Sequence, residues 1–187
     1  GKTLILGAAD STATLIWANT LSFAGAARTV QVNNGSAAID ASISGQLTGG
    51  GNSGFEKTGA GTLELTKTTN NYSGATTISA GTLRLGASGV LPDTTTVSIG
   101  AGTLAAGAGF TDTAGTLDCT AAATINLGDN SSKLVFADSN TIGGSGVWVG
   151  SLDVTGSFVS GSSIKFATSG GLTSGQLDKI SVNGSGL

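Results

Sequence analysis

Acid–base or nucleophilic chemistry needs ionisable side chains gathered at one place, and this sequence supplies few of them. Its 187 residues contain no histidine, one cysteine and 11 acidic residues. The acids are scattered from Asp10 to Asp178 with no Asp-Asp or Asp-x-x-Asp pair, so the two facing carboxylates that glycoside hydrolysis requires are not written into any one segment. Cys119 alternates with Leu117 and has no basic neighbour to lower its thiol pKa, which makes it a small buried apolar residue rather than a nucleophile. The run Gly49-Gly50-Gly51-Asn52-Ser53-Gly54 lacks the Lys-Ser/Thr pair of a phosphate loop and reads as a flexible corner. Asp129-Asn130 and Asp138-Ser139-Asn140 are spaced as in calcium-binding β-roll repeats, but without the Gly-Gly pairs they are explained as turns. Catalytic, cofactor and metal residues are therefore expected to be absent. One side chain stands out for recognition: Trp148 falls between Val147 and Val149, and with both valines inward it becomes a candidate exposed aromatic contact, covered by a neighbour or stacked on a sugar. A net charge of -3 without any basic run argues against nucleic acid and anionic membranes as partners. Neither an apolar stretch of membrane-spanning length nor a signal-like start is present, and Gly1 without a preceding Met suggests a processed chain.

The elements that carry these residues repeat. Gly61-Thr62-Leu63-Glu64-Leu65 returns as Gly81-Thr82-Leu83-Arg84-Leu85 after 20 residues, and a third copy begins at Gly102, 21 further on. In an extended chain Leu63 and Leu65 share one face and Thr62 and Glu64 the other. Short strands at this spacing predict an all-β fold, a parallel β-helix or β-solenoid, in which coils stack at about 4.8 Å. Leu63, Leu83 and Leu104 then form one interior column, with Thr62, Thr82 and Thr103 outside and Glu64 over Arg84. A fourth copy, Gly115-Thr116-Leu117, comes after only 13 residues and must lie on another face. Glycine supplies 32 residues and proline one, Pro92, as many tight corners would require. The chain is expected to be one solenoid domain over residues 1–187. Within it, residues 1–58 form irregular N-terminal coils in which Trp17 and Phe23 cap the core, 59–166 regular coils, and 167–187 a C-terminal cap. Thr173 is a possible N-cap for a short helical turn near Leu172, Leu177 and Ile180.

Around the repeat the match to a known family is close. Lys57-Thr58-Gly59-Ala60-Gly61-Thr62-Leu63-Glu64-Leu65, then Asn71-Tyr72-Ser73-Gly74, then Thr77-Ile78-Ser79-Ala80-Gly81-Thr82-Leu83-Arg84-Leu85-Gly86 resembles the autotransporter-associated β-strand repeat, or passenger-associated transport repeat, of secreted bacterial surface proteins. The resemblance implies a right-handed parallel β-helix on an exported, extracellular or cell-surface protein, and it carries no catalytic residues. Such proteins end in a membrane β-barrel that this chain lacks, so the resemblance makes it a fragment or a member without the barrel.

The expected function is that of a non-catalytic extracellular structural protein, a rod serving as a surface scaffold or joining end to end into fibres. Thr3, Leu4, Ile5 and Leu6 form the candidate assembly strand, because they are apolar, terminal and followed by a turn. The alternatives are an adhesin that displays Trp148 or the Asn/Thr ladders to a glycan or host surface and, further off, a polysaccharide-degrading β-helix enzyme.

Overall fold

Short alternating strands separated by glycine corners cannot bury a face alone, so they bury it against the next coil. A computed structural model describes residues 2–107, 109–128, 131–142, 146–156, 163–167 and 171–186. The first nine strands are β1 (Thr3–Leu6), β2 (Leu15–Trp17), β3 (Leu21–Ser22), β4 (Arg28–Val32), β5 (Ala41–Ile43), β6 (Leu47–Thr48), β7 (Phe55–Thr58), β8 (Thr62–Leu65) and β9 (Thr76–Leu85). Then come β10 (Val97–Ala106), β11 (Thr111–Ala114), β12 (Leu117–Cys119), β13 (Ala123–Asn126), β14 (Lys133–Phe136), β15 (Leu152–Thr155) and β16 (Ser163–Phe166), a helical turn α1 (Ser174–Leu177), and β17 (Ile180–Val182) and β18 (Ser185–Gly186). The chain is a β-solenoid.

Three faces run along it. On the first, β1, β4, β7, the first halves of β9 and β10, and β12 stack in parallel. The second stacks β2, β5, β8, the second halves of β9 and β10, β13, β15 and β17. The third holds β3 on β6 and, further along, β11, β14 and β16. Leu63 lies on Leu83 and Leu83 on Leu104, and the column continues to Ile125. All four are fully buried, each contributing about 1.5 to 3 kcal/mol through the apolar area it removes from water. Thr62, Thr82 and Thr103 are in register beside them, and Arg84 Nε lies 3.2 Å from Glu64 Oε1. Leu117 pairs with Val97 and not with Leu104, which puts the 13-residue copy on the first face.

Coil length changes along the rod. Thr3 pairs with Thr29 and Thr29 with Glu56, steps of 26 and 27 residues, whereas Glu56 to Thr77 and Thr77 to Ser98 are steps of 21. Toward the other end Thr124 pairs with Asp153 and Asp153 with Ser181, steps of 29 and 28. The wide coils at the beginning bury Phe23, which stacks on Phe55 at 6.4 Å while Tyr72 meets both rings edge-on, so the three rings form one buried aromatic cluster.

Trp148 is a correction. It is fully buried while Val149 is 84% exposed and Val147 is exposed as well, so the alternation runs in the opposite phase. An indole buries more apolar surface than the valines beside it, and its Nε1 donates to Leu117 O at 3.1 Å, which removes the cost of burying the N–H. The candidate exposed aromatic contact does not exist.

The last segment is a cap with two parts. Thr173 is the N-cap of α1: its Oγ1 accepts from Gln176 N at 3.2 Å, and Gln176 Oε1 accepts from Thr173 N at 2.8 Å. Gln176 is itself buried and donates through Nε2 to Ser139 O at 2.9 Å. Beyond it β17 turns through Asn183-Gly184 into β18, the antiparallel pairing in a fold of otherwise parallel pairs among the described residues.

Candidate interaction surface

Polar side chains that could do chemistry are spent on joining coils. Lys57 shows it best. It alternates with Phe55, so its side chain enters the interior column between Val30 and Ile78, where it is fully buried. Its Nζ donates to Thr58 O at 3.0 Å, Gly59 O at 2.8 Å and, one coil on, Ala80 O at 3.0 Å. Burial lowers its pKa to about 8 and the Asp40 carboxylate opposes that shift. Asp40 does the same work one coil earlier: its Oδ1 accepts from Gly35 N at 2.6 Å and its Oδ2 from Thr62 N at 2.7 Å. Between them Gly59 holds φ +75, and a Cβ there would sit 2.3 Å from Val32 O, so this corner takes no larger residue.

On the third face no strand pairing joins β6 to β11, and side chains add to scattered main-chain bonds such as Asn71 N to Leu47 O at 3.0 Å. Asn70 Oδ1 accepts from Leu47 N at 2.7 Å while its Nδ2 donates to Val90 O at 2.8 Å, bridging a coil on each side. Asp112 Oδ2 accepts from Val90 N at 2.8 Å and its Oδ1 from Leu91 N at 3.3 Å. Tyr72 Oη, Thr76 Oγ1 and Thr95 Oγ1 form a buried chain at 2.6 and 3.1 Å. Burial pushes the Asp112 carboxyl up to about 7, and the amides of Val90, Leu91 and Gly89 hold it from rising further. The folded chain then binds a proton that the unfolded chain has already released above its ordinary value near 4, so this group's contribution is full below pH 4 and is lost as pH rises through 7. Between pH 5 and 7 wild type is expected to lose about 2 kcal/mol that an Asp112→Asn variant does not lose. Urea titrations at the two pH values check this, and equal slopes for the two proteins count against it.

Cys119 is buried in the Ile78–Ile99 column, where burial and then the neighbouring Asp118 push its thiol up to about 12, so no thiolate is available near neutral pH. Asp129 and Asn130 lie outside the described residues; Asp138 Oδ1 accepts from Asn140 N at 3.3 Å, an Asx turn. Among the described residues no group of three His, Cys, Asp or Glu could hold a metal. A cleft of about 400 Å³ opens beside Asn71, Ser73, Pro92 and Asp93, but its one aromatic, Tyr72, is buried and offers no face to a sugar. No helix among the described residues is long and apolar enough to cross a membrane.

The surface that remains is the N-terminal end. The candidate assembly strand Thr3–Leu6 is not detached: it pairs in parallel with β4 through one edge. Among the described residues nothing pairs with its other edge, nor with the outer edges of β2 and β3. Leu15, which points inward, is 40% exposed here, and Ile5 and Ile16 stand on the flank at 58% and 67%. Between Thr3 and Ala27 the single charged residue is Asp10.

Both the register and the corner chemistry of Lys57, Gly59, Thr62, Ala80 and Leu83 fall inside residues 55–85, which match the family model of the passenger-associated-transport-repeat. The chain matches no curated protein and no solved structure. Within the transport repeat the lysine, glycines and leucines have structural roles: the leucines fill the column, Lys57 closes the corner and Gly59 permits it. The repeat and the β-solenoid together fit a passenger-type repeat protein, a class that implies a secreted or surface protein. Sequence reasoning quoted Lys57 within the motif yet missed its burial. The signal was its position two residues after Phe55, on the same side of the strand.

Proposed function

We propose that this chain is a non-catalytic structural section of a secreted bacterial surface protein, a stiff β-solenoid rod that spaces or supports what lies beyond it. The observation that carries this reading is the use of the buried polar side chains. Lys57, Asp40, Asn70, Asp112 and Ser139 each reach main-chain groups of a neighbouring coil, which cements the stack. The outer faces carry hydroxyl and amide ladders such as Thr96 on Thr116, at 3.1 Å between hydroxyls, which keep the surface wet at low charge. With Trp148 inside, the adhesin reading loses its aromatic platform and keeps only the Asn/Thr ladders. Immunogold labelling with antibodies raised against this chain tests the proposal on intact cells that make it. Labelled projections on the surface are expected, and label that appears only after lysis overturns the reading.

A further inference from the structure

An asparagine followed by glycine can close its side chain onto the next main-chain nitrogen, since glycine has no Cβ to obstruct the approach. The chain holds two such pairs, Asn34-Gly35 and Asn183-Gly184. In both, the glycine N–H points at a carboxylate: Gly35 N donates to Asp40 Oδ1 at 2.6 Å, and Gly184 N to Asp153 Oδ1 at 2.9 Å. The two asparagine side chains differ. Asn183 Nδ2 donates to Gly156 O at 3.2 Å and its Oδ1 accepts from Gly156 N at 3.1 Å, so that carboxamide is fastened to another coil. Asn34 is exposed, and its Nδ2 donates to Gly35 O at 3.3 Å, within the same dipeptide. Gly35 itself admits no larger residue: a Cβ there would sit 2.3 Å from Ser11 O, and Ser36 N ties the corner to the same oxygen at 2.9 Å. Asp40 is buried and fixed through its second oxygen by Thr62 N at 2.7 Å. Packing therefore holds the glycine and the carboxylate in place and leaves the carboxamide between them open to solvent.

We propose that Asn34-Gly35 is a self-modification site, at which the chain cyclises its own main chain with Asp40 as the general base. Gly35 N attacks Asn34 Cγ, so the N–Cγ bond forms and the Cγ–Nδ2 bond breaks. The proton of Gly35 N passes to Asp40 Oδ1 and from there to the departing nitrogen, which leaves as ammonia. A separation of 2.6 Å is within the reach a base needs, and the turn already keeps attacking and attacked groups in one corner. Water then opens the five-membered imide at either carbonyl, restores the Gly35 N–H and leaves an aspartyl or isoaspartyl carboxylate at position 34. The new charge arises close to Asp40, which holds the next amide, and like charges repel. The isoaspartyl form also lengthens the main chain by one carbon at the tight contact with Ser11. At Asn183 the same closure would have to break both bonds to Gly156, and Asp153 Oδ1 is already shared with Ser181 Oγ at 2.6 Å. The fold thus selects one of the two pairs.

The test follows the whole chain at neutral pH and physiological temperature, native and in concentrated urea, with peptide mapping by mass spectrometry reading the conversion of amide to acid at positions 34 and 183. A positioned base contributes roughly 10² to 10⁴-fold, so Asn34 is expected to convert at least about 10-fold faster in the native chain than in urea, where Asp40 is no longer held against it. Asn183 is expected to convert more slowly in the native chain than in urea. An Asp40→Asn variant is measured alongside, with circular dichroism to report its folding; folded, it is expected to lose the native acceleration at Asn34 and leave Asn183 unchanged. Should that variant fail to fold, the comparison of native and urea-treated wild type decides alone. Conversion of Asn34 that is equal or slower in the native chain overturns the proposal, as does a folded Asp40→Asn variant that converts Asn34 as fast as wild type.

Discussion

Replacing Lys57 by alanine is expected to cost about 3 to 5 kcal/mol, the range for removing one partner from a buried charged network. Three carbonyls, of Thr58, Gly59 and Ala80, lose their donor at once, Asp40 loses the nearby positive charge, and the stem leaves a void in the column between Val30 and Ile78. Lys57→Met separates these effects, since it fills the column without an amino group; about 2 to 3 kcal/mol should still be lost, because buried acceptors without donors are expensive. Urea midpoints measured near pH 7 decide it, and a methionine variant as stable as wild type would show that the amino group holds nothing. The pH dependence has a definite sign. With the folded pKa near 8 and the unfolded one at 10.5, the unfolded chain binds the extra proton between those values. Stability from this group therefore rises as pH is raised from 8 to 10, and wild type should gain on Lys57→Met across that window.

The second large effect is at Trp148. Truncation to alanine removes a fully buried indole and orphans the Leu117 carbonyl it donates to at 3.1 Å, for an expected loss of about 3 to 5 kcal/mol. Val149→Ala, one residue on and 84% exposed, should stay within about 0.5 kcal/mol. Thermal or urea unfolding of the pair settles which of the two side chains faces inward. A mild Trp148→Ala beside a severe Val149→Ala would restore the outward indole and with it the adhesin reading.

These two residues also show what was legible in the sequence and what was not. The Leu-x-Leu spacing of residues 61–65, 81–85 and 102–104 announced the register because each coil there has nearly one length, so identical positions fall on top of each other. Where coils widen to between 26 and 29 residues, loops of variable length sit between the faces and no fixed interval survives to be read. Trp148 was misjudged because side-chain type was allowed to set the phase of the alternation, and the burial of Lys57 was not read at all. A lysine can go inward where carbonyls receive its ammonium, and one indole outweighs two valines. The cap divides likewise. Thr173 was readable as an N-cap, because that motif is local, while Asn183-Gly184 is an equally local hairpin signal that passed unread among polar neighbours. The corner contacts of Asp40 and Asp112 span 22 and 21 to 22 residues and leave no local trace at all.

Everything proposed for the rod depends on successive leucines standing directly over one another in parallel strands, and methyl-to-methyl NOEs in a leucine- and isoleucine-labelled sample report this without intermediaries. Neighbouring coils are about 4.8 Å apart and alternate coils about twice that. Strong cross-peaks between Leu63 and Leu83, between Leu83 and Leu104, and between Leu104 and Ile125 are predicted, with the Leu63 to Leu104 peak weak. Cross-peaks that skip Leu83, or that link Leu63 to leucines of another face, would contradict the stack.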